Sequence, residues 1–269
     1  MATTDLSSAI EMAACSDPGR VRTNNEDSVL ANASLGLAVL ADGMGGYNAG
    51  EVASGMATAV LGSELRHAFS EMQPHERTKQ GNTWASEALR DVIQRTNAAI
   101  HQAANCNPKY AGMGTTLVTV QFYDNRVAVA HVGDSRLYRL RDGKLARMTR
   151  DHSLLQEQID SGMITPEQAR FSQNKNLVTR ALGVDMTVNV EMNEHAVQAG
   201  DVYLLCSDGL NDMVDDEGIA LILTRLSENL TYCAAQLVQQ ANDNGGRDNV
   251  SVVLAKIVKP FPAVGRMTS

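Results

Sequence analysis

The sequence predicts an α+β domain in which helices pack outside an antiparallel β core. Three observations carry this: amphipathic helical patterns early in the chain, a run of directly linked short strands in the middle, and further helical patterns before a final strand. Strands joined by two-residue turns pair antiparallel, because a parallel pair needs a long crossover.

The elements follow in order. Residues 35–41 form a short apolar strand. Residues 51–69 read as a helix, with Ala53, Ala57, Leu61 and Leu65 on one stripe. Residues 84–104 give a second, with Ala85, Leu89, Val92, Ile93, Thr96 and Ile100 on one face and Trp84 anchoring its start. Strands are expected at 115–122, 127–132, 135–140 and 144–148, with Asp124-Asn125 and Asp142-Gly143 as hairpin turns. Ser153 and Gln156 form a capping box for a short helix that stops at Gly162, and Thr165-Pro166 opens another. Residues 202–206 are a buried strand, helices follow at 217–226 and 232–241, and 250–258 closes the chain as a strand. There is no internal repeat. Residues 10–258 read as a single domain, with residues 1–9 and 259–269 as flexible ends.

Composition narrows the function classes. With 269 residues and 43% hydrophobic content, the chain can bury a core without disulfide staples. Its net charge of -8 argues against a general nucleic-acid binder. Cys15, Cys106, Cys206 and Cys233 are far apart and pair with no nearby histidine, which excludes zinc sites of the usual spacing. The start of the chain lacks a signal-peptide pattern and no apolar run approaches a membrane span, so a cytoplasmic protein that engages no membrane is expected. A monomer is the default.

The chemistry concentrates where apolar strands end. Leu37-Ala38-Val39-Leu40-Ala41 runs into Asp42-Gly43; Tyr203-Leu204-Leu205-Cys206-Ser207 runs into Asp208-Gly209; the strand ending at Val132 runs through Gly133 into Asp134. Gly246-Arg247-Asp248-Asn249 precedes the last strand, and Arg22 stands just before Glu26-Asp27. Asp-Gly is a common turn pair, and Asp142-Gly143 is explained by its hairpin. Asp42 and Asp208 are not, since no matching strand follows them. Carboxylates gathered at close range repel unless cations intervene. Oxygen-only ligation favours Mg²⁺ or Mn²⁺. Two such ions can share a water, lower its pKa and present hydroxide to phosphorus in line with the leaving group. Arg22 is the candidate to hold the phosphate's non-bridging oxygens.

These residues make the chain resemble the metal-dependent protein phosphatases of the PP2C (PPM) family in their compact bacterial form. The likeness runs from about residue 13 to 257 and rests on motifs in the family's order: Gly19-Arg20-Val21-Arg22-Thr23-Asn24-Asn25-Glu26-Asp27, Ala41-Asp42-Gly43-Met44-Gly45-Gly46, Gly114-Thr115-Thr116, Val132-Gly133-Asp134-Ser135-Arg136, Asp151-His152-Ser153, Thr179-Arg180-Ala181-Leu182-Gly183, Cys206-Ser207-Asp208-Gly209-Leu210 and Gly246-Arg247-Asp248-Asn249. The resemblance implies a four-layer αββα sandwich, two antiparallel sheets flanked by helix pairs, with a small helical flap at about 151–180. It implies hydrolysis of phosphoserine and phosphothreonine in proteins with two Mn²⁺ or Mg²⁺ ions. Asp42 would bridge the ions, Glu26 and the Gly43 carbonyl would serve one, and Asp208 and Asp248 the other. Asp27 would hold a metal-bound water, Arg22 would receive the phosphate, and Asp134 with Asp208 would supply a third, weaker ion. Phosphorylated proteins, and a cognate Ser/Thr kinase or its targets, are the implied partners.

One position departs from the family. Where eukaryotic members carry a histidine two residues after the bridging aspartate, this chain has Met44, and where many bacterial members have one three residues further on it has Tyr47. The general acid is therefore open between Tyr47 and a metal-bound water, with His131 read as a core residue and His152 as a structural one at the flap's entrance. Two other readings stand beside the phosphatase: a catalytically silent phosphoprotein-binding module, against which the retained Asp42, Asp208 and Asp248 count, and a two-metal nuclease or phosphodiesterase, against which the acidity counts.

Overall fold

The computed structural model describes residues 5–46, 49–169 and 177–263. Its strands are β1 (Ile10–Asp17), β2 (Asp27–Asn32), β3 (Leu37–Met44), β4 (Gly114–Thr115), β5 (Leu117–Tyr123), β6 (Arg126–Val132), β7 (Arg136–Arg141), β8 (Lys144–Arg147), β9 (Glu191–Ala196), β10 (Val202–Cys206) and β11 (Val250–Ile257). The helices are α1 (Ala49–Glu71), α2 (Trp84–Cys106), α3 (Leu154–Asp160), α4 (Pro166–Ala169), α5 (Asp208–Asn211), α6 (Asp216–Leu226) and α7 (Leu230–Asp243).

One antiparallel sheet has the order β1-β11-β10-β7-β8; the other runs β2-β3-β5-β6-β9, with β4 paired to β3. Period-2 alternation explains how they stack. On β3, Ala38 and Leu40 face the other sheet, whereas Leu37, Val39 and Ala41 face α1 and α2. On β10, Tyr203 and Leu205 point between the sheets while Val202, Leu204 and Cys206 meet α6 and α7. The result is the four-layer αββα sandwich that the resemblance implies. Helix α1 is held by Ala53, Ala57, Leu61, Leu65 and Phe69, all fully buried; each large apolar side chain among them contributes about 1.5–3 kcal/mol.

The hairpin turns form as read. Asp124, Asn125 and Asp142 have φ of 43°, 54° and 51°, the left-handed pair geometry that tight hairpins require. Ser153 Oγ accepts from Gln156 N at 3.3 Å to cap α3, and Ser153 and Val178 bridge the base of the 151–180 excursion. Among the described residues no helix is long and apolar enough to cross a membrane.

Strands β1, β2 and β9 were not read from the sequence, and all three are sheet edges. With one ladder partner and half-exposed faces, such strands need no continuous apolar run. The described parts of the two ends also differ from the expected flexible termini. Leu6 is buried between the sheets and its N–H donates to Ser34 O at 3.0 Å. Phe261 is buried in the same layer, and its N–H donates to Asn125 Oδ1 at 2.6 Å.

Candidate metal centre and active site

Antiparallel pairing places several strand ends on one edge of the sandwich. Asp27, the first residue of β2, lies opposite Asp42 near the end of β3. Cys206, the last residue of β10, lies opposite both Val252 near the start of β11 and Arg136 at the start of β7. Asp208 and Asp248 are thus delivered beside each other by neighbouring strands. Arg22, Glu26, Asp42, Gly43, Asp134, Asp208 and Asp248 all line one cleft of about 240 Å³, together with Met44, Thr116, Val178 and Asn249. Asp27 stands behind it.

Close backbone approach makes the glycines here obligatory. A Cβ on Gly43 would lie 2.1 Å from Gly50 O, and one on Gly50 would lie 2.9 Å from the Glu26 carboxylate. The start of α1 therefore presses directly on the end of β3 and on the Glu26 carboxylate. Likewise, a Cβ on Gly209 would lie 2.0 Å from Asn249 O, which packs the Asp208 turn against the entry to β11.

Electrostatically the cleft is overloaded. Burial pushes Asp42 well above the usual carboxylate range, and Asp27, Asp208, Asp134 and Asp248 push it further. Burial does the same to Asp208, followed by Asp134, Asp212, Asp248 and Asp27. Asp27 and Asp134 are each raised to about 6, chiefly by burial, and burial also raises Glu26. Arg22 is the cation at the mouth; its guanidinium donates to Asp248 Oδ2 at 2.8 Å while remaining 54% exposed. The reading from sequence gave Arg22 to phosphate and Asp248 to a metal, and here the two hold each other. One oxygen of Asp27 accepts from Ser207 Oγ at 2.8 Å, but Oδ1 is buried with no partner.

An oxygen-only donor set, mutual repulsion and an orphaned buried oxygen fit divalent hard cations. They do not fit zinc or a redox metal, which would draw on sulfur or imidazole.

Sequence reasoning missed the residues that hold these carboxylates in place. Asn249 Oδ1 accepts from Glu26 N at 2.9 Å while its Nδ2 donates to Pro18 O and Asn24 O, tying the 18–26 loop to β11. Thr116 Oγ1 accepts from Asp42 N at 3.2 Å and meets Ser135 Oγ at 2.7 Å. Ser207 accepts from Ser251 N at 3.0 Å while it orients Asp27. Ser207 and Asn249 each adjoin a cleft aspartate inside a family motif, and the sequence alone attached no role to either. Neither His131 nor His152 lines the cleft. Tyr47, one candidate proton donor, lies outside the described residues.

A family profile described as Protein phosphatase 2C matches residues 20–241. The chain belongs to the protein phosphatase 2C family. Its relatives include the serine/threonine protein phosphatase PstP of Mycobacterium tuberculosis, 42% identical over 252 residues. That match takes in 93% of this chain but 45% of PstP, so the chain spans about half the length of that relative. The serine/threonine phosphatase stp of Listeria monocytogenes is 38% identical over 243 residues, 89% of this chain and 93% of its own. Among solved structures, the PstP catalytic domain in complex with two manganese ions aligns with a TM-score of 0.78 at 40% identity, covering 93% of this chain and 99% of that one. The αββα fold that the resemblance implies is thus that of phosphatase 2C structures.

Proposed function

We propose that this chain is a metal-dependent enzyme that hydrolyses phosphoserine and phosphothreonine in proteins. The observation that carries the reading is the convergence of Glu26, Asp42, Asp134, Asp208 and Asp248 on one cleft with Arg22 at its mouth. Asp42 would bridge two Mn²⁺ or Mg²⁺ ions, with Glu26 and the Gly43 carbonyl on one and Asp208 and Asp248 on the other; Asp134 with Asp208 would take a third, weaker ion. When bound, such ions neutralise the carboxylates, polarise phosphoryl oxygens and make water a competent nucleophile near neutral pH.

The chain's own residues do the rest. Arg22 is exposed at the mouth of the cleft, and its guanidinium would exchange Asp248 for the phosphate's non-bridging oxygens, which orients phosphorus over the cleft. Asp27, fixed by Ser207, keeps Oδ1 free to accept a hydrogen bond from water inside the site. Thr116 and Asn249 hold Asp42 and Glu26 from behind, so the donor set does not collapse when the repulsion is relieved. The proton needed by the leaving serine or threonine oxygen is assigned to no described side chain, since Met44 occupies the lining position after Asp42-Gly43.

A cytoplasmic setting belongs to this reading, supported by four free cysteines. So does a role opposing a Ser/Thr kinase, because removing phosphate from serine and threonine, the activity in the relatives' names, reverses what such a kinase does. The test is hydrolysis of a phosphothreonine peptide by the purified chain with Mn²⁺, alongside EDTA and Asp208→Asn. Turnover that survives both treatments would contradict the mechanism.

A further inference from the structure

Outside the cleft, His131 and His152 stack with ring centroids 4.7 Å apart and 15° between planes. Glu191 on β9 completes a group whose ligand-type atoms all lie within 4.8 Å of one another. The composition invites a metal, but the hydrogen bonds refuse one. Gly133 N–H donates to His152 Nδ1 at 3.1 Å, which puts the proton of the neutral ring on Nε2. That proton faces Glu191 Oε2 at 3.4 Å, and the Arg180 guanidinium stands 3.4 Å from the same nitrogen. His131 donates from Nε2 to Arg150 O at 2.8 Å. Burial, His131 and Arg180 hold His152 below the usual imidazole range, which keeps the ring neutral. A ring that accepts through one nitrogen and carries its proton on the other has no lone pair left for an ion.

What the group does is mechanical. His152 grips Gly133 twice: its N–H donates to Gly133 O at 2.9 Å while its ring accepts from Gly133 N–H. On the other flank, Arg136 forks onto Asp151, with Nη2 at 2.7 Å from Oδ2. Asp134 therefore sits on a turn bracketed by two consecutive residues of a distant segment. The returning chain hangs on the same point. Thr179 N donates to His152 O at 2.8 Å, and Leu154 N donates to Leu177 O at 2.9 Å. The turn has no room to drift inward, because a Cβ on Gly133 (φ +105°) would already lie 2.7 Å from Thr116.

We propose that His152 is a positioning residue for Asp134. Its ring, oriented by the stack on His131 and by Glu191, holds the Gly133 turn and joins it to both described ends of the 151–180 segment. Loading of an ion at Asp134 and the order of residues 153–160 then rise and fall together. The consequence for metal binding rests on the function proposed above; the clamp itself does not.

The test uses the full chain with His152→Ala, His152→Asn and His152→Gln. Asparagine puts an acceptor near the place of Nδ1, whereas glutamine carries its acceptor one bond too far. Three readouts are followed: hydrogen exchange in peptides covering 130–136 and 153–160 across a Mn²⁺ titration, calorimetric Mn²⁺ binding, and separate kcat and KM on a phosphopeptide. In the wild type, Mn²⁺ slows exchange in 153–160 at the concentration that fills the weakest site. His152→Ala is expected to lose protection at Gly133, weaken that site roughly tenfold or more, abolish the Mn²⁺ response of 153–160 and leave the tighter ions bound. His152→Asn restores these properties and His152→Gln does not; if the alanine variant fails to fold, that contrast decides. Wild-type protection at Gly133 in His152→Ala, or equal behaviour of the asparagine and glutamine variants, overturns the proposal. A wild type that binds no divalent pair sinks the proposed function, while Gly133 protection still judges the clamp.

Discussion

The two ends of the β-sandwich carry the same dipeptide and use it oppositely. At one end Asp142-Gly143 joins β7 to β8; Asp142 takes φ 51°, is exposed to solvent, and nothing lies within 4 Å of where a Gly143 side chain would begin. At the other end Asp42-Gly43 finishes a core strand and Asp208-Gly209 opens a helix. There the glycine is pressed against backbone and the aspartate faces other carboxylates. What distinguishes them is the next element: a hairpin partner leaves the carboxylate in water, whereas a helix start folded back over the strand end traps it. A short sequence signal therefore acquires chemistry only through what the chain does in the following few residues.

The sharpest way to break this contrast is to neutralise one aspartate at each end. Asp208→Asn is expected to lower kcat/KM on a phosphopeptide at saturating Mn²⁺ by at least about 10³-fold, about 4 kcal/mol of barrier, while Asp142→Asn leaves it unchanged. Equal activity of the two variants would place the chemistry elsewhere. The glycines come next. Gly43→Ala must displace Gly50 O from 2.1 Å and should cost about 3 kcal/mol or more in thermal or urea unfolding. Gly143→Ala meets no atom and is strained only by its φ of +73°, a cost of about 1 kcal/mol.

How much of this was legible follows from where each residue sits. The paired helices and hairpins were readable because their burial is periodic and their turns have dedicated residues. Strands β1, β2 and β9 were not, because each lies at a sheet edge; the Glu191, Asn193 and Glu194 of β9 look like loop. Strand β8 is also an edge, yet its hairpin turn announced it. In the site, Asp42, Asp134 and Asp208 were visible because charge ending a core strand is unusual, and Glu26, Asp27 and Asp248 through the family's motifs. The roles of Asn249, Ser207 and Thr116 were not, although all three stand inside the motifs, since small polar residues carry no such signal and their work consists of contacts across as many as 231 positions of sequence.

Acidity should separate the two ends more gently. Without metal, Asp134 has its carboxyl raised from 3.8 to about 6, and burial is the main cause. A raised carboxylate is compatible with folding while protonated, so its favourable contribution is complete below about pH 3.8 and is lost as pH rises through about 6. Metal-free Asp134→Asn should then melt higher than the wild type at pH 7, by roughly 5 °C, and the gap should close towards pH 4. A gap that stays constant across that range would mean Asp134 is not charged against its neighbours.

The smallest effect is expected at the hairpin itself. Asp142 sits in the left-handed region with φ 51°, where asparagine is tolerated at least as well as aspartate. Asp142→Asn also removes one exposed charge from a chain of net charge -8, a change worth little in water. Its unfolding free energy should stay within about 0.5 kcal/mol of the wild type, with no dependence on Mn²⁺. The same Asp-to-Asn change at Asp208 should instead alter how strongly Mn²⁺ raises the melting temperature, because a bound ion stabilises the fold in proportion to its affinity. A Mn²⁺-dependent shift at Asp142 would show that the hairpin end is coupled to the cleft, which the separation of the two ends by the full length of the strands argues against.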